Sequence, residues 1–450
     1  MRLTRHAAGE TVSTLFVVLL SVYALEYSTY FVTTFALDRV VKLSALGGLL
    51  LIALPIRLRA GFGTTILLYG ILLASTIPGS ILRADLAGVI QSSKVGLMML
   101  FLVLVISRGR RDPQAADRLV LAPVFWGTLF AVQGVILVLL VMGLSYVPAN
   151  AEIPIERMLG AGGSIPNMRS LGLFGYVNTL SPTSTGYALR IQSWFSEPAQ
   201  LAAYLQFPAL VSLGYYYATR RLRFLVSCLL CAAGIVLTFS LAAYLGLAFA
   251  FGTLLAFRQF RKAGRNSPIR VATAVLVAAV LFYSVQAQVL QATYRLFEGG
   301  LDSQLGYLLA RNPDTQTLVR GASNLDFTLA TVASHPLGLG LGGTLGFNEN
   351  TSTNALLWWL QAGGIPAAIV LAALYATLFI RFSLPCLLSE SPKARFVAAA
   401  FMAVTLHELS YGNWTEPHYL FSVGIMMIFG DRAREDAVTE AKRKRNAELA

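Results

Sequence analysis

Two stretches of this sequence carry side chains suited to holding an anion. The first runs Arg190-Ile-Gln-Ser-Trp-Phe-Ser-Glu-Pro-Ala-Gln-Leu-Ala-Ala-Tyr-Leu205. Pro198 suits the first turn of a helix, where its missing N–H would be unpaired in any case. Ser196 is then the N-cap, and Glu197 sits in the field of the helix N-terminus. Arg190, just upstream, would lie at the mouth of a bundle. The plainer reading is an ordinary helix start with an interfacial Trp194 and a snorkelling Arg190.

The second stretch holds Arg295, Arg311, Arg320 and His335. After Arg320, the residues Leu325, Leu329 and Val332 are spaced as one helix face. The chain then reads Ser334-His335-Pro336-Leu337-Gly338-Leu339-Gly340-Leu341-Gly342-Gly343. This is not a P-loop, because the Lys-Ser/Thr that reaches phosphate and metal is missing. A glycine-rich turn can still let backbone approach a ligand closely. Arginine is the side chain suited to bidentate diphosphate recognition, whereas a lone histidine is more often structural. A polar cluster from Asn348 to Asn354 leads into Trp358, Trp359, Gln361, Gly363, Gly364, Ile365 and Pro366. Helix capping and an aromatic belt account for that cluster equally well.

Glu26, Asp85, His407, Glu408, Glu416 and His418 lie near the ends of apolar runs. Intramembrane ionisable groups are functional candidates by default. His407 and Glu408 could relay protons, although adjacent residues point to different parts of a helix surface. The outer loops hold no pair of Asp at metal-ligand spacing, and the chain has no GxSxG or HExxH. A metal-dependent hydrolase is therefore not expected, and neither metal nor cofactor is called for. Cys228 and Cys231 form a CxxC inside an apolar run without further ligands, and with Cys386 they read as core packing.

The elements that must position these residues are membrane helices. The chain has 450 residues, 56% hydrophobic and 13% charged, against roughly 25% charged in a soluble domain. A span needs about 20 apolar residues. Such runs occur at about 11–36, 40–56, 62–82, 86–107, 119–147, 198–218, 222–239, 241–257, 270–289, 354–380, 395–411 and 414–430. The run from Leu222 to Phe257 is too long for one span and divides near Ser240, at a tight outer turn. The first run has no convincing cleavage site and reads as an uncleaved helix.

The expected fold is thus an all-α polytopic membrane protein of about twelve transmembrane helices with two long outer loops. Residues 1–147 hold the first five helices, and 148–197 the first outer loop. Residues 198–289 hold helices six to nine, 290–353 the second outer loop, 354–430 the last three helices, and 431–450 a basic cytoplasmic tail. Both loops contain apolar and aromatic residues and are expected to fold against the bundle, partly as short interfacial helices.

The net charge of +13 is explained by membrane topology rather than by a nucleic-acid partner. Arg2 and Arg5, Arg57 and Arg59, Arg108 to Arg118, Arg220 to Arg223, Arg258 to Arg270, Arg381 to Arg395, and Lys442 to Arg445 all fall on one side of a twelve-helix arrangement. Both termini are then cytoplasmic.

Four segments, in this order, resemble the O-antigen ligase/polymerase superfamily of bacterial polysaccharide assembly. Arg190 to Leu205 is similar to that family's Arg, aromatic, Glu/Asn-Pro helix start. Val236-Leu-Thr-Phe-Ser240-Leu241-Ala-Ala-Tyr-Leu-Gly246 is similar to its LT-x-SR-x-A helix. Arg320, followed by His335 to Gly340, is similar to its loop Arg upstream of a Pro-x-Gly-x-Gly turn. Thr353-Asn354 to Gly364-Ile365 is similar to its His-Asn, apolar, Gly-Ile segment. The resemblance covers residues 185–370 and the topology. It departs at Leu241, where the family has an arginine, and at Thr353, where it often has the histidine proposed as catalytic in ligases. Both departures favour a polymerase over a ligase.

The resemblance implies a metal-independent glycosyltransferase at the outer leaflet of a bacterial inner membrane. Its donor would be a glycan on undecaprenyl diphosphate, and its acceptor a glycan hydroxyl. A chain-length regulator or export machinery would be its protein partner, and membrane lipid its solvent. Arg190 and Arg320 would bind the diphosphate, and Glu197 and His335 would serve as general base or orient the acceptor. Arg169, Arg295, Arg311 and Asn354 are secondary candidates. The polyprenyl tail would lie between helices near the sixth and tenth. The competing expectations are a secondary transporter or lipid-linked oligosaccharide flippase, and a non-catalytic membrane anchor or assembly factor.

Overall fold

The computed structural model describes residues 60–83, 113–143, 149–150, 168–170, 176–183, 186–193, 195, 198–238, 240–262, 327–341, 355–410 and 417–449. The expected spans over 11–36, 40–56, 86–107 and 270–289 lie outside these residues. Helices dominate, as a membrane interior demands: with no water to satisfy them, backbone N–H and C=O groups must pair within each segment. In chain order they are α1 (Ala60–Ala74), α2 (Ile77–Leu82), α3 (Pro113–Gly143), α4 (Pro198–Thr219), α5 (Leu222–Thr238) and α6 (Leu241–Lys262). A short helix α7 covers 327–334. It is followed by α8 (Ala355–Leu378), a π-turn at Phe379–Ser383, α9 (Leu384–Leu388), α10 (Pro392–Ser410) and α11 (Pro417–Leu449).

Among the described residues four stretches are long and apolar enough to cross a membrane: Phe62–Leu82, Ala116–Leu137, Ala242–Gln259 and Ala355–Leu388. Their outward side chains, such as Leu67, Phe125, Leu255 and Ile369, are exposed, as a lipid-facing belt requires. The molecule is a helical membrane protein.

Helix α4 is the exception that organises the rest. Every residue from Leu201 to Ser212 is buried, so α4 faces protein on all sides. It packs against α3, α5 and α10. Shielded from lipid, it can carry Gln206 and Ser212, provided they find partners. Ser212 Oγ lies 3.2 Å from Ser227 Oγ, which lies 2.5 Å from Thr128 Oγ1. Hydroxyls from α3, α4 and α5 are thereby tied together, at about 0.6 kcal/mol or more per interhelical bond. Cys231, beside Ser227 on α5, is buried, and all three cysteines are free thiols.

The basic clusters that the structure describes gather at one end. Tyr215 donates to Asp117 at 2.6 Å, and Lys393 Nζ reaches Asp117 at 3.2 Å while lying 4.4 Å from the Tyr215 ring centre. These contacts place Arg118, Arg220 to Arg223 and Arg395 together. Phe382, next to Arg381, packs against Phe62 with ring centres 5.6 Å apart and backs Gly430, so α1, the π-turn and α11 meet at that end as well. The helix starts at Pro198 and Pro417 and the helix ends at Leu82, Thr238 and Ser410 lie at the other.

Part of the first outer loop forms a small antiparallel sheet, an element the expectation of short interfacial helices did not include, within an otherwise helical fold. Strands β1 (Ala149–Asn150), β2 (Met168–Ser170), β3 (Tyr176–Thr183) and β4 (Gly186–Ser193) pair in the order β1-β2-β3-β4. In the long hairpin Thr179 faces Leu189, Asn178 faces Arg190 and Val177 faces Ile191. Tyr187, Leu189 and Ile191 alternate with Ala188, Arg190 and Gln192, a period of two that suits a strand. Ile191 is fully buried against Gly134 of α3.

Candidate functional site

Strand β4 ends where helices α3, α4 and α5 converge, and this seats Arg190. Its Nε donates to the carbonyl of Thr238, the last residue of α5, at 2.7 Å. The final carbonyls of a helix lack partners in the helix and carry partial negative charge, so a guanidinium is well placed there. Tyr244 donates to the Val236 carbonyl at 2.7 Å, and Thr238 Oγ1 to the Ile235 carbonyl at 2.7 Å. Three side chains thus close the end of α5, and the turn through Ser240 follows at once. The strand is pinned just beyond Arg190: the Ser193 hydroxyl donates to Gln133 Oε1, and Gln192 Nε2 to the Phe195 carbonyl at 2.9 Å. Ser193 takes a positive φ of 50°, which turns the chain out of the strand toward α4. Phe195 then packs edge-on to Phe130 and against Tyr204, and α4 begins at Pro198, where its ring suits the first helical turn.

A second junction forms at the same end. His335 follows α7 directly and is exposed; its Nδ1 lies 3.0 Å from Ser334 Oγ. The glycine-rich turn that follows does approach backbone closely, but the backbone it meets is the protein's own. Leu339 N donates to Gln361 O at 2.8 Å, and Ile365 N donates to Pro336 O at 3.1 Å. Both partners belong to α8, which breaks at Gly364 (φ 65°, ψ −156°). A Cβ on Gly364 would stand 2.0 Å from the Pro336 carbonyl, and one on Gly340 2.1 Å from Ser80 Oγ and 2.5 Å from Ser80 N. Gln361, buried inside the break, donates to Thr328 Oγ1 of α7 at 2.8 Å. The turn therefore locks α7 and the end of α2 into the broken helix.

Of the expected site residues, then, Arg190 meets the 236–246 segment, and His335 heads the turn that meets the 361–365 segment. Both contacts sit at the end opposite the basic clusters, but His335 and Arg190 are held by different elements. Arg169 lies in β2, paired in register with Asn150 and Val177. Glu197, Arg295, Arg311, Arg320 and Asn354 fall outside the described residues, as do Glu26, Asp85, Glu416 and Thr353. Leu241 begins α6.

Packing gives the adjacent His407 and Glu408 different partners, as their divergence on a helix implies. His407 Nδ1 lies 3.1 Å from Gln206 Nε2 of α4, whereas Glu408 Oε1 lies 3.3 Å from His418 Nε2 of α11. The neighbouring Tyr375 and Tyr419 hydroxyls bond at 2.6 Å. These partners come from elements far apart in sequence, so adjacency could not identify them. Among the described residues no set of three His, Cys, Asp or Glu side chains is arranged to hold a metal ion.

No protein-family model matches the chain, and no curated protein matches it either.

Proposed function

We propose that the protein is a metal-independent glycosyltransferase that extends a polysaccharide at the outer leaflet of a bacterial inner membrane. It would cross the membrane about twelve times with both termini in the cytoplasm. The donor is a glycan on undecaprenyl diphosphate, and a hydroxyl of the acceptor glycan attacks its anomeric carbon. The lipid diphosphate leaves, and arginines at the membrane surface stabilise the charge that develops on it. Arg190 and Arg320 take that role, with Glu197 or His335 orienting or deprotonating the acceptor hydroxyl. Polymerisation fits better than ligation, because Leu241 and Thr353 stand where ligases carry an arginine and a histidine.

One observation carries this reading: the four short motifs pair up in space. Arg190 bonds to the carbonyl of Thr238 in the second motif, and the turn after His335 bonds to the fourth motif at Gln361 and Ile365. The test is glycan extension in cells whose own copy is removed. Arg190→Ala and Arg320→Ala should each abolish extension while the protein inserts at normal levels. Normal extension in both variants overturns the site. In the deletion strain, lipid carrier loaded with single repeat units marks a polymerase, and carrier loaded with finished polymer marks a ligase.

A second reading, a transporter or flippase for a lipid-linked glycan, draws on two specific features. A broken membrane helix at Gly364 and a buried His418–Glu408 pair are both features that transporters use at their sites. Counterflow of the lipid-linked substrate in proteoliposomes, without any new glycosidic bond, would select it.

A further inference from the structure

The link between α4 and α5 is only Arg220 and Arg221, and Arg223 follows in the first turn of α5. All three arginines are exposed. Arg220 closes α4, its N–H donating to the Tyr216 carbonyl at 2.7 Å, and it takes a φ of 57°. That left-handed position at a helix end usually falls to glycine or asparagine. An arginine there is a local outlier, and such outliers point to a role beyond the backbone. Aromatic rings direct the guanidiniums. That of Arg220 lies 5.9 Å from the Tyr216 ring centre and 5.8 Å from that of Tyr217. Tyr217 in turn stacks on Phe396 of α10, with ring centres 5.7 Å apart. The Arg223 guanidinium lies 4.9 Å from the Phe224 ring centre. A ring takes the face of a guanidinium, while the N–H donors lie in its plane and stay open to an oxyanion. From the same turn α5 presents an apolar stripe outward: Leu222, 69% exposed, then Val226, Leu229 and Val236, all exposed. Their spacing keeps them on one helix face. The stripe is about 21 Å long at 1.5 Å per residue, longer than half of a hydrocarbon core of about 30 Å.

We propose that this turn seats the phosphate of an anionic phospholipid, whose acyl chain lies along the α5 stripe. Charge and shape both select a lipid. Four consecutive residues span at most about 11 Å, so the side chains of Arg220, Arg221 and Arg223 can converge on one phosphate. A zwitterionic headgroup carries an ammonium charge that three arginines repel, whereas phosphatidylglycerol carries only negative charge. A free phosphate or an acidic protein would use the arginines and leave the stripe idle. A lipid uses both at once, because its charged and apolar parts are joined in the same order as the turn and the stripe. Leu222 stands between the arginines, where headgroup meets chain. The site needs only the helical membrane fold, so it stands whether the protein transfers glycans or transports them.

Native mass spectrometry of the full chain, equilibrated in detergent with phosphatidylglycerol or phosphatidylcholine, tests this. The wild type should retain phosphatidylglycerol about tenfold better than phosphatidylcholine. Arg220→Gln/Arg221→Gln/Arg223→Gln should lose that preference. Arg258→Gln/Arg434→Gln/Lys442→Gln removes the same charge from exposed positions on α6 and α11 and should keep it. Equal loss in both triple variants reduces the effect to net charge and overturns the site, and so does a preference that survives the first triple. Excess inorganic phosphate should leave the retained lipid in place; displacement by it overturns the lipid assignment. If the first triple variant fails to fold, Arg220→Gly decides. Glycine suits the positive φ, so this variant should melt no earlier than the wild type while its preference falls several-fold. An unchanged preference in Arg220→Gly overturns the proposal.

Discussion

Arg190 and the turn from Pro336 to Gly340 dock on the same end of the bundle by opposite means. Arg190 reaches a helix end with a side chain, through one bond of 2.7 Å to the Thr238 carbonyl. The turn docks with backbone alone, through Leu339 N, Pro336 O and glycines that sit directly on Ser80 and Gly364. A side-chain contact can be weakened in steps while the elements it joins stay close. A backbone contact admits nothing larger than hydrogen, so it is kept or lost whole. The difference separates a contact that one side chain carries from a contact that only holds the frame.

The largest expected effect follows from the backbone junction. Gly340→Ala places a Cβ against Ser80 at a residue whose φ is +77°, and should cost about 3 kcal/mol or more. It would be read as lost expression and early thermal unfolding in detergent. Adding Ser80→Gly removes the hydroxyl but leaves the Ser80 backbone nitrogen in the way, so it should not rescue; rescue would mean that the contact is made by the side chain. Arg190→Ala should be milder in stability, by about 1–2 kcal/mol for a lost charged bond at a helix end, yet severe for glycan extension. Equal damage to both readouts would reduce Arg190 to a cap. Gln361→Leu, which strips Thr328 of its partner in the break of α8, should cost about 1–2 kcal/mol in the same unfolding assay. At the small end, Gly63→Ala lies in α1 with nothing within 4 Å of the new Cβ. It should leave stability unchanged or raise it by about 0.5–1 kcal/mol. If it harms as Gly340→Ala does, the backbone-contact account of the turn fails.

Residue types told most of the local story. Pro198 marks a helix start and Ser240 a turn between helices because both act within a few residues of themselves. The hairpin that seats Arg190 was legible in principle, from the alternation of Tyr187, Leu189 and Ile191. The apolar content of the loop and the neighbouring membrane spans point instead toward interfacial helices. The glycines of the turn signalled close approach but not to what, since the Gly364 break that receives them lies in another segment. In a membrane helix the usual clue to a buried face is also absent: lipid is as apolar as a protein core, so both faces read alike. That is why the all-round burial of α4 does not stand out in its pattern.

Sequence by itself determined that this is a helical membrane protein, where several helices begin and end, and which residues can carry charge. Those properties depend on apolar run length, proline and glycine geometry, and side-chain type, all of which act locally. Tertiary structure alone decided who meets whom: Arg190 with Thr238, the glycine turn with a broken helix, and Glu408 with His418 instead of its neighbour His407. Adjacent residues on a helix diverge by about 100°, so a buried carboxylate finds its partner on whichever helix packs across from it.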